Sequence, residues 1–298
     1  MEKPKPKRGV RYWLNLIVAF FVMFYAVLLV RGYVITAPDW AHPARAPVCC
    51  DTPATAGVTY EDVAFQTSDG LTLKGWYVPS RNRAAVILIH GLGGNRGSMI
   101  RHLLMLQDRG FGALSIDVRA HGESEGETVR YDGTDALAAY QYLLTRPDVD
   151  PDKIGVLGWS LGAMIAIQAA ADEPGLKAVA MDEPGAIAFK DGPLPEPLDI
   201  GNWLYVPFDL FFYPTLPLWT GHPNGEAISD ALPRIAPRPT LMIMQENNRW
   251  AGYLYQFARE PKTLWTYPAV GHGMGPVNFP EEYQAQITTF FEAGLLGD

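Results

Sequence analysis

The chain has 298 residues, 48% of them hydrophobic, which suffices for one large α/β domain or two small ones with a substantial core. Its formal net charge of -8 at pH 7 excludes a nucleic-acid partner, because surfaces that grip a phosphate backbone carry excess Lys and Arg. Two adjacent cysteines, Cys49 and Cys50, make neither a disulfide framework nor a CxxC pair, and they read as solvated thiols in a linker.

In chain order, residues 1–12 form a basic tail with Lys3, Lys5, Lys7, Arg8 and Arg11. Residues 13–30 follow as an apolar run whose one polar member is Asn15, close to the length that spans hydrocarbon as a helix. Only Arg31 follows closely, so the charge bias keeps the N-terminus cytoplasmic and the rest of the chain extracytoplasmic. A cleaved signal peptide fits less well. Its apolar region is shorter, and no small-x-small site directly follows Val30. A single-pass, uncleaved membrane anchor is expected. Residues 31–57 then read as a linker, with Pro, Ala and small polar residues from 37 to 57 suggesting an extended tether. The domain is expected to begin at 58.

Residues 58–66 and 71–78 are short runs of alternating polarity flanking Ser68-Asp69-Gly70, the pattern of an antiparallel hairpin. Continuous apolar runs at 84–89, 111–116, 153–157, 176–181, 240–244 and 262–267 predict strands covered on both faces. Between them, 98–109, 133–145, 161–171, 252–258 and 281–295 read as helices. This β/α alternation predicts an α/β fold with a mostly parallel central sheet flanked by helices. Residues 183–239 break the alternation as an insertion rich in Pro and aromatics. Its Trp203, Tyr205, Phe208, Phe211, Phe212, Tyr213 and Trp219 either line a substrate pocket as a lid or pack the insertion onto the sheet.

Gly158-Trp159-Ser160-Leu161-Gly162 follows a predicted strand and opens an Ala-rich helix, the context a nucleophile elbow requires. Glycines two residues either side of Ser160 avoid collisions in so tight a turn. The helix N-terminus favours negative charge beside the hydroxyl. His90-Gly91-Leu92-Gly93-Gly94, after the first parallel strand, brings backbone close to substrate, and the N–H groups of Leu92 and Leu161 are the expected oxyanion hole. His90 is read as structural, as is the Asp117–Ser124 stretch. His272, in a Gly-His-Gly loop after the last strand, is the expected base. His42, His102 and His222 read as surface residues.

Together, His90-Gly91, the Asp117–Ser124 turn, the Ser160 elbow and Gly271-His272 resemble the α/β-hydrolase superfamily over residues 58–298. The pattern is most similar to the serine aminopeptidase-like and monoacylglycerol-lipase-like branch, in which an insertion after the sixth strand forms a lid. That resemblance implies esterase, lipase or peptidase chemistry without a cofactor. In that branch the triad acid follows the seventh strand in a Gly-x-x-Asp turn, but this chain has Gln245-Glu246-Asn247-Asn248, with Asn248 at the acid's place. Glu246 is taken as the acid because it lies in the expected loop, with Asp182 and Glu183 after the sixth strand as alternatives.

The expected function is hydrolysis of carboxylic esters through an acyl-enzyme. Alternatives are a peptidase or amidase using the same Ser160 and His272, and a weakly active or inactive hydrolase-fold binding protein. The expected partners are a small acyl ester or short peptide as substrate and a membrane through the N-terminal helix. No metal site is expected, since the histidines are scattered and no HExxH motif occurs.

Overall fold

The apolar runs assemble into one eight-stranded sheet in a computed structural model that describes residues 9–297. Lys3, Lys5, Lys7 and Arg8 of the basic tail lie outside the described residues. The strands are β1 Glu61–Gln66, β2 Thr72–Val78, β3 Ala85–Ile89, β4 Gly112–Asp117, β5 Ile154–Trp159, β6 Leu176–Asp182, β7 Thr240–Gln245 and β8 Lys262–Tyr267, in the order β1-β2-β4-β3-β5-β6-β7-β8. Strand β2 runs antiparallel to β1 and β4, and the remaining pairs are parallel. The chain leaves β3 toward β4 on one side and returns to β5 on the other. The loops after β3 and β5 therefore face each other across a switch point at the carboxyl edge, where open α/β sheets place their ligands.

Helices α1 Val10–Val30 and α2 Ala37–Ala41 precede the sheet. They are followed by α3 Ile100–Asp108, α4 Thr134–Leu144, α5 Leu161–Asp172, α6 Ile200–Trp203, α7 Val206–Thr220, α8 Ile228–Ala231, α9 Arg249–Tyr255, α10 Gly275–Asn278 and α11 Pro280–Leu295. Every residue of β3 is buried because successive side chains enter opposite layers. Val86 and Leu88 pack with Leu103 and Leu106 of α3 and Ile287 and Phe291 of α11. Ile87 and Ile89 pack with Leu143 of α4 and Ile165 of α5.

Two expectations are corrected here. Residues 37–57, expected as an extended tether, are instead docked on the domain through Ala37–Ala41 and Arg45. The helix of α1 continues through a π-helical turn, Arg31–Thr36, into α2, and Ala37 and Ala41 are fully buried. Trp40 packs edge-on to Phe212 of α7 at 5.2 Å between ring centroids, and the Val129 N–H donates to the Ala41 carbonyl at 2.9 Å. Farther on, the Arg45 guanidinium donates to the carbonyls of Ser124 and Gly126, both at 2.6 Å. One tryptophan and one arginine thus anchor a stretch whose overall composition is that of a linker. His102 is also not a surface residue. It is buried between α3 and α11, with Nε2 3.0 Å from the Tyr283 hydroxyl, and burial lowers its pKa to about 4.

The aromatic-rich insertion divides between two roles. Phe212, Tyr213 and Leu216 of α7 are buried, whereas Trp203, Tyr205 and Phe211 are exposed.

Arg119 fastens the loop after β4 to α4 and to Asp69. Its Nε and backbone N–H donate to the two Asp135 carboxylate oxygens, each at 2.8 Å, and a terminal nitrogen donates to Asp69 at 2.8 Å. Arg119 and Asp135 are both buried, so each neutralises a charge that could not stand alone there. Arg119→Ala is expected to lower stability by about 3–5 kcal/mol because it leaves an uncompensated buried carboxylate. Asp135→Asn in that background should recover part of the loss, as read by urea unfolding.

Candidate active site

The turn from β5 into α5 holds Ser160 at φ +53° and ψ −113°, a left-handed conformation that costs about 1–3 kcal/mol for a non-glycine residue and marks an elbow. Neighbouring backbone enforces it. A Cβ on Gly158 would collide with the Gly162 carbonyl, and one on Gly162 with the Ile89 carbonyl. The Ser160 N–H donates to the Asp182 carbonyl at 2.9 Å, which ties the turn to the end of β6. Leu161 is the first residue of α5, so its N–H has no intrahelical acceptor. The loop carrying Leu92 presses on the same turn: a Cβ on Gly91 would stand 3.3 Å from the Ser160 Cβ and 3.0 Å from the Trp159 ring. The Ser160 hydroxyl makes no hydrogen bond to another described residue.

The loops after β3 and β4 brace each other, as expected of structural turns. His90 is fully buried, its Nδ1 lies 2.7 Å from the Gly91 carbonyl and its Nε2 accepts from the Val118 N–H at 3.3 Å. Burial, aided by His121, lowers the His90 pKa to about 3. A permanently neutral imidazole suits a brace and not a proton carrier. The Gly93 N–H donates to His121 Nε2 at 3.0 Å. Asp117 accepts from the Arg96 N–H at 2.6 Å and the Glu123 N–H at 2.9 Å, and pairs with the Arg96 guanidinium.

The carboxylate that meets His272 is Glu183, with Oε2 2.7 Å from Nδ1. This corrects the assignment to Glu246. Gln245 is the residue whose side chain faces the His272 loop, its Oε1 accepting from the Gly271 N–H at 3.3 Å. Side chains alternate along an extended backbone, so Glu246 is turned outward and exposed, and it contributes only its N–H to the Tyr267 carbonyl at 2.7 Å. Asn248, at the position where the resemblance expected an Asp, caps α9 by accepting from the Ala251 N–H at 3.1 Å. Glu183 reaches His272 because its backbone adopts φ +48° immediately after β6. Its Oε2 also accepts from the Gly273 N–H at 2.7 Å, and its Oε1 accepts from the Gln245 N–H at 3.3 Å. The available signal was Asp182-Glu183 at the end of the strand next to β5, but the left-handed turn that aims Glu183 has no mark of its own in the sequence.

Burial of Glu183 opposes its ionisation, yet hydrogen bonds from His272, Gly273 and Gln245 outweigh it and hold the carboxyl below its ordinary pKa. The same bond to Glu183, stronger than partial burial, raises the pKa of His272. The neighbouring Asp182 behaves oppositely. Burial, reinforced by the Glu183 charge and only partly offset by a 2.6 Å bond from the Tyr283 hydroxyl, lifts its pKa to about 7. With Nδ1 held by Glu183, the half-exposed His272 ring keeps Nε2 as its unengaged nitrogen, the arrangement a base needs.

A cavity of about 320 Å³ lies between the insertion and α9, lined by Leu194, Tyr205, Val206, Asp209, Asn248 and Trp250 among others. Ser160 and His272 are not part of its lining. Among the described residues, no group of three or more His, Cys, Asp or Glu side chains is disposed to hold a metal ion.

A largely parallel sheet with an antiparallel second strand, and a strained serine between its fifth strand and the following helix, is the architecture of the α/β-hydrolase class. The chain belongs to the family described as alpha/beta hydrolase fold, which residues 84–276 match. It is 37% identical over 123 residues to a polyketide transferase of Stachybotrys chlorohalonatus, a match covering 39% of this chain and 41% of that protein. An uncharacterized protein of Mycobacterium tuberculosis is 28% identical over 264 residues, covering 83% of this chain and 85% of the relative. Among solved structures, a Pyrococcus furiosus esterase superposes with a TM-score of 0.68 at 25% identity, covering 85% of this chain and 97% of that one.

Glu183→Gln removes the charge that favours the imidazolium, so the His272 pKa should fall. A histidine-detected NMR titration checks this, with Glu246→Gln expected to leave His272 unchanged.

Proposed function

We propose that this protein is a membrane-anchored serine hydrolase that cleaves carboxylic acyl esters. The observation that carries the reading is the 2.7 Å contact between Glu183 and His272 Nδ1, at the same sheet edge as the strained Ser160 turn. Glu183 fixes the imidazole tautomer and stabilises the imidazolium that forms during reaction. His272 Nε2 takes the Ser160 proton as the hydroxyl oxygen attacks the ester carbonyl. The N–H groups of Leu92 and Leu161 hold the resulting oxyanion. The imidazolium then protonates the departing alkoxide, leaving an acyl-enzyme, and water activated by the same imidazole releases the acid and restores Ser160.

The esterase name of the Pyrococcus furiosus neighbour supports an ester substrate, and the transferase name of the fungal relative is compatible with acyl transfer. The anchor is α1, a helix long and apolar enough to cross a bilayer. The basic residues before it favour a cytoplasmic N-terminus and a catalytic domain on the opposite side.

A fluorophosphonate probe is expected to label the folded wild-type chain and not Ser160→Ala; equal labelling of both would refute the serine assignment. Glu183→Gln should lower turnover of a p-nitrophenyl ester by about four orders of magnitude, while Glu246→Gln should leave it near the wild-type rate. Because the base must be neutral and its pKa is raised, kcat/KM should climb with pH through a midpoint above the ordinary imidazole value of about 6.5.

A further inference from the structure

The helix Val10–Val30 has 21 residues and at helical rise is about 30 Å long, the thickness of a bilayer's hydrocarbon core. Its side chains are almost all exposed until Leu28, where contact with the domain begins. That contact is made by α7. Leu29, Gly32 and Tyr33 border an apolar crevice with Phe208, Phe211, Phe212 and Thr215. A Cβ on Gly32 would collide with the Phe208 ring, and Tyr33 packs on Trp219 at 5.3 Å between centroids. The insertion therefore touches the anchor at Leu29 to Tyr33, toward the domain end of its apolar stretch.

The outward side of the insertion is apolar at that level. Phe211, Pro214 and Leu218 fall at helical spacing on one exposed face of α7, with Leu210 beside them; Leu218 is 70% exposed and Phe211 56%. Trp203 and Tyr205 are exposed just before it, the residue types that collect at lipid headgroups. Residues 200–220 include one charged side chain, Asp209. The apolar surface also continues along the anchor through the exposed Val30, Tyr33, Val34 and Ile35. A face of this length left in water would be an aggregation liability, whereas contact with a bilayer covers it.

We infer that the exposed face of α7 rests in the headgroup region of the same bilayer that α1 crosses, on the side occupied by the domain, so that the protein holds the membrane at two places. This rests on the reading of α1 as a membrane span.

The test uses the full chain with Cys49 and Cys50 replaced by Ser. Single-cysteine variants Ile17→Cys, Leu218→Cys and Asp152→Cys carry an environment-sensitive fluorophore, in phosphatidylcholine nanodiscs holding one copy each. Nitroxide lipids labelled near the headgroup or deep in the acyl chain act as quenchers. Position 17 should be quenched by the deep label, position 218 severalfold more by the shallow than by the deep label, and position 152 by neither. Quenching at 17 with none at 218 overturns the inference while leaving the anchor intact. No quenching at 17 removes the anchor reading and the inference with it. Shielding of 218 from aqueous iodide without quenching by lipid means that protein covers the face, which also overturns it. Unchanged thermal unfolding midpoints establish that the labelled variants are folded.

Discussion

The hydrogen bond from the Ser160 N–H to the Asp182 carbonyl is the constraint on which the site's geometry depends. It joins the strained turn after β5 to the last residue of β6. One residue later the Glu183 N–H donates to the Ile243 carbonyl of β7, and past the end of β7 the Glu246 N–H donates to the Tyr267 carbonyl of β8. Three backbone bonds thus cross the carboxyl edge strand by strand, from the serine turn to the strand that leads into the His272 loop. Glu246 belongs to this framework through its main chain.

Two adjacent acidic residues acquire opposite characters from it. Asp182 ends a strand and points into the layer between the sheet and α11, where Tyr283 gives it one hydrogen bond and Asp182 Oδ1 has no partner among the described residues. Burial in such a layer disfavours the charged form. Glu183 is turned by its left-handed backbone toward three donors and is held ionised. A conformational penalty of about 1–3 kcal/mol at each of Ser160 and Glu183 is offset by the hydrogen bonds that fix them. The site is strained where it is functional and relaxed in the sheet that carries it.

Strands β3 to β7 were legible because continuous apolar runs of strand length arise where both faces are covered, whereas β8, expected to be covered in the same way, is an edge strand and largely exposed. The placement of Ser160, His272 and the His90 loop at one sheet edge followed from their position after those runs. Glu183 was not legible as the partner of His272, because its direction depends on a positive φ and on the register of β6 against β5 and β7, neither of which is local in sequence. The packing of residues 31–57 was hidden for a similar reason. Composition averages over a segment, while docking there depends on Trp40 and Arg45, whose partners lie some 80 to 170 positions away. His102 was misread because a histidine on a helix carries no sign of whether Tyr283 will cover it.

The unbroken path of helix from Val10 to Ala41 has a mechanical consequence. A catalytic domain on a flexible leash samples a hemisphere of solution, and its reach grows with the square root of leash length. Here the shaft runs into the core, its own Gly32 and Trp40 packed against Phe208 and Phe212 of α7. On the proposed reading of that shaft as a membrane span, the domain would keep one height and one tilt, and its encounters with substrate would become a search over an area in place of a volume.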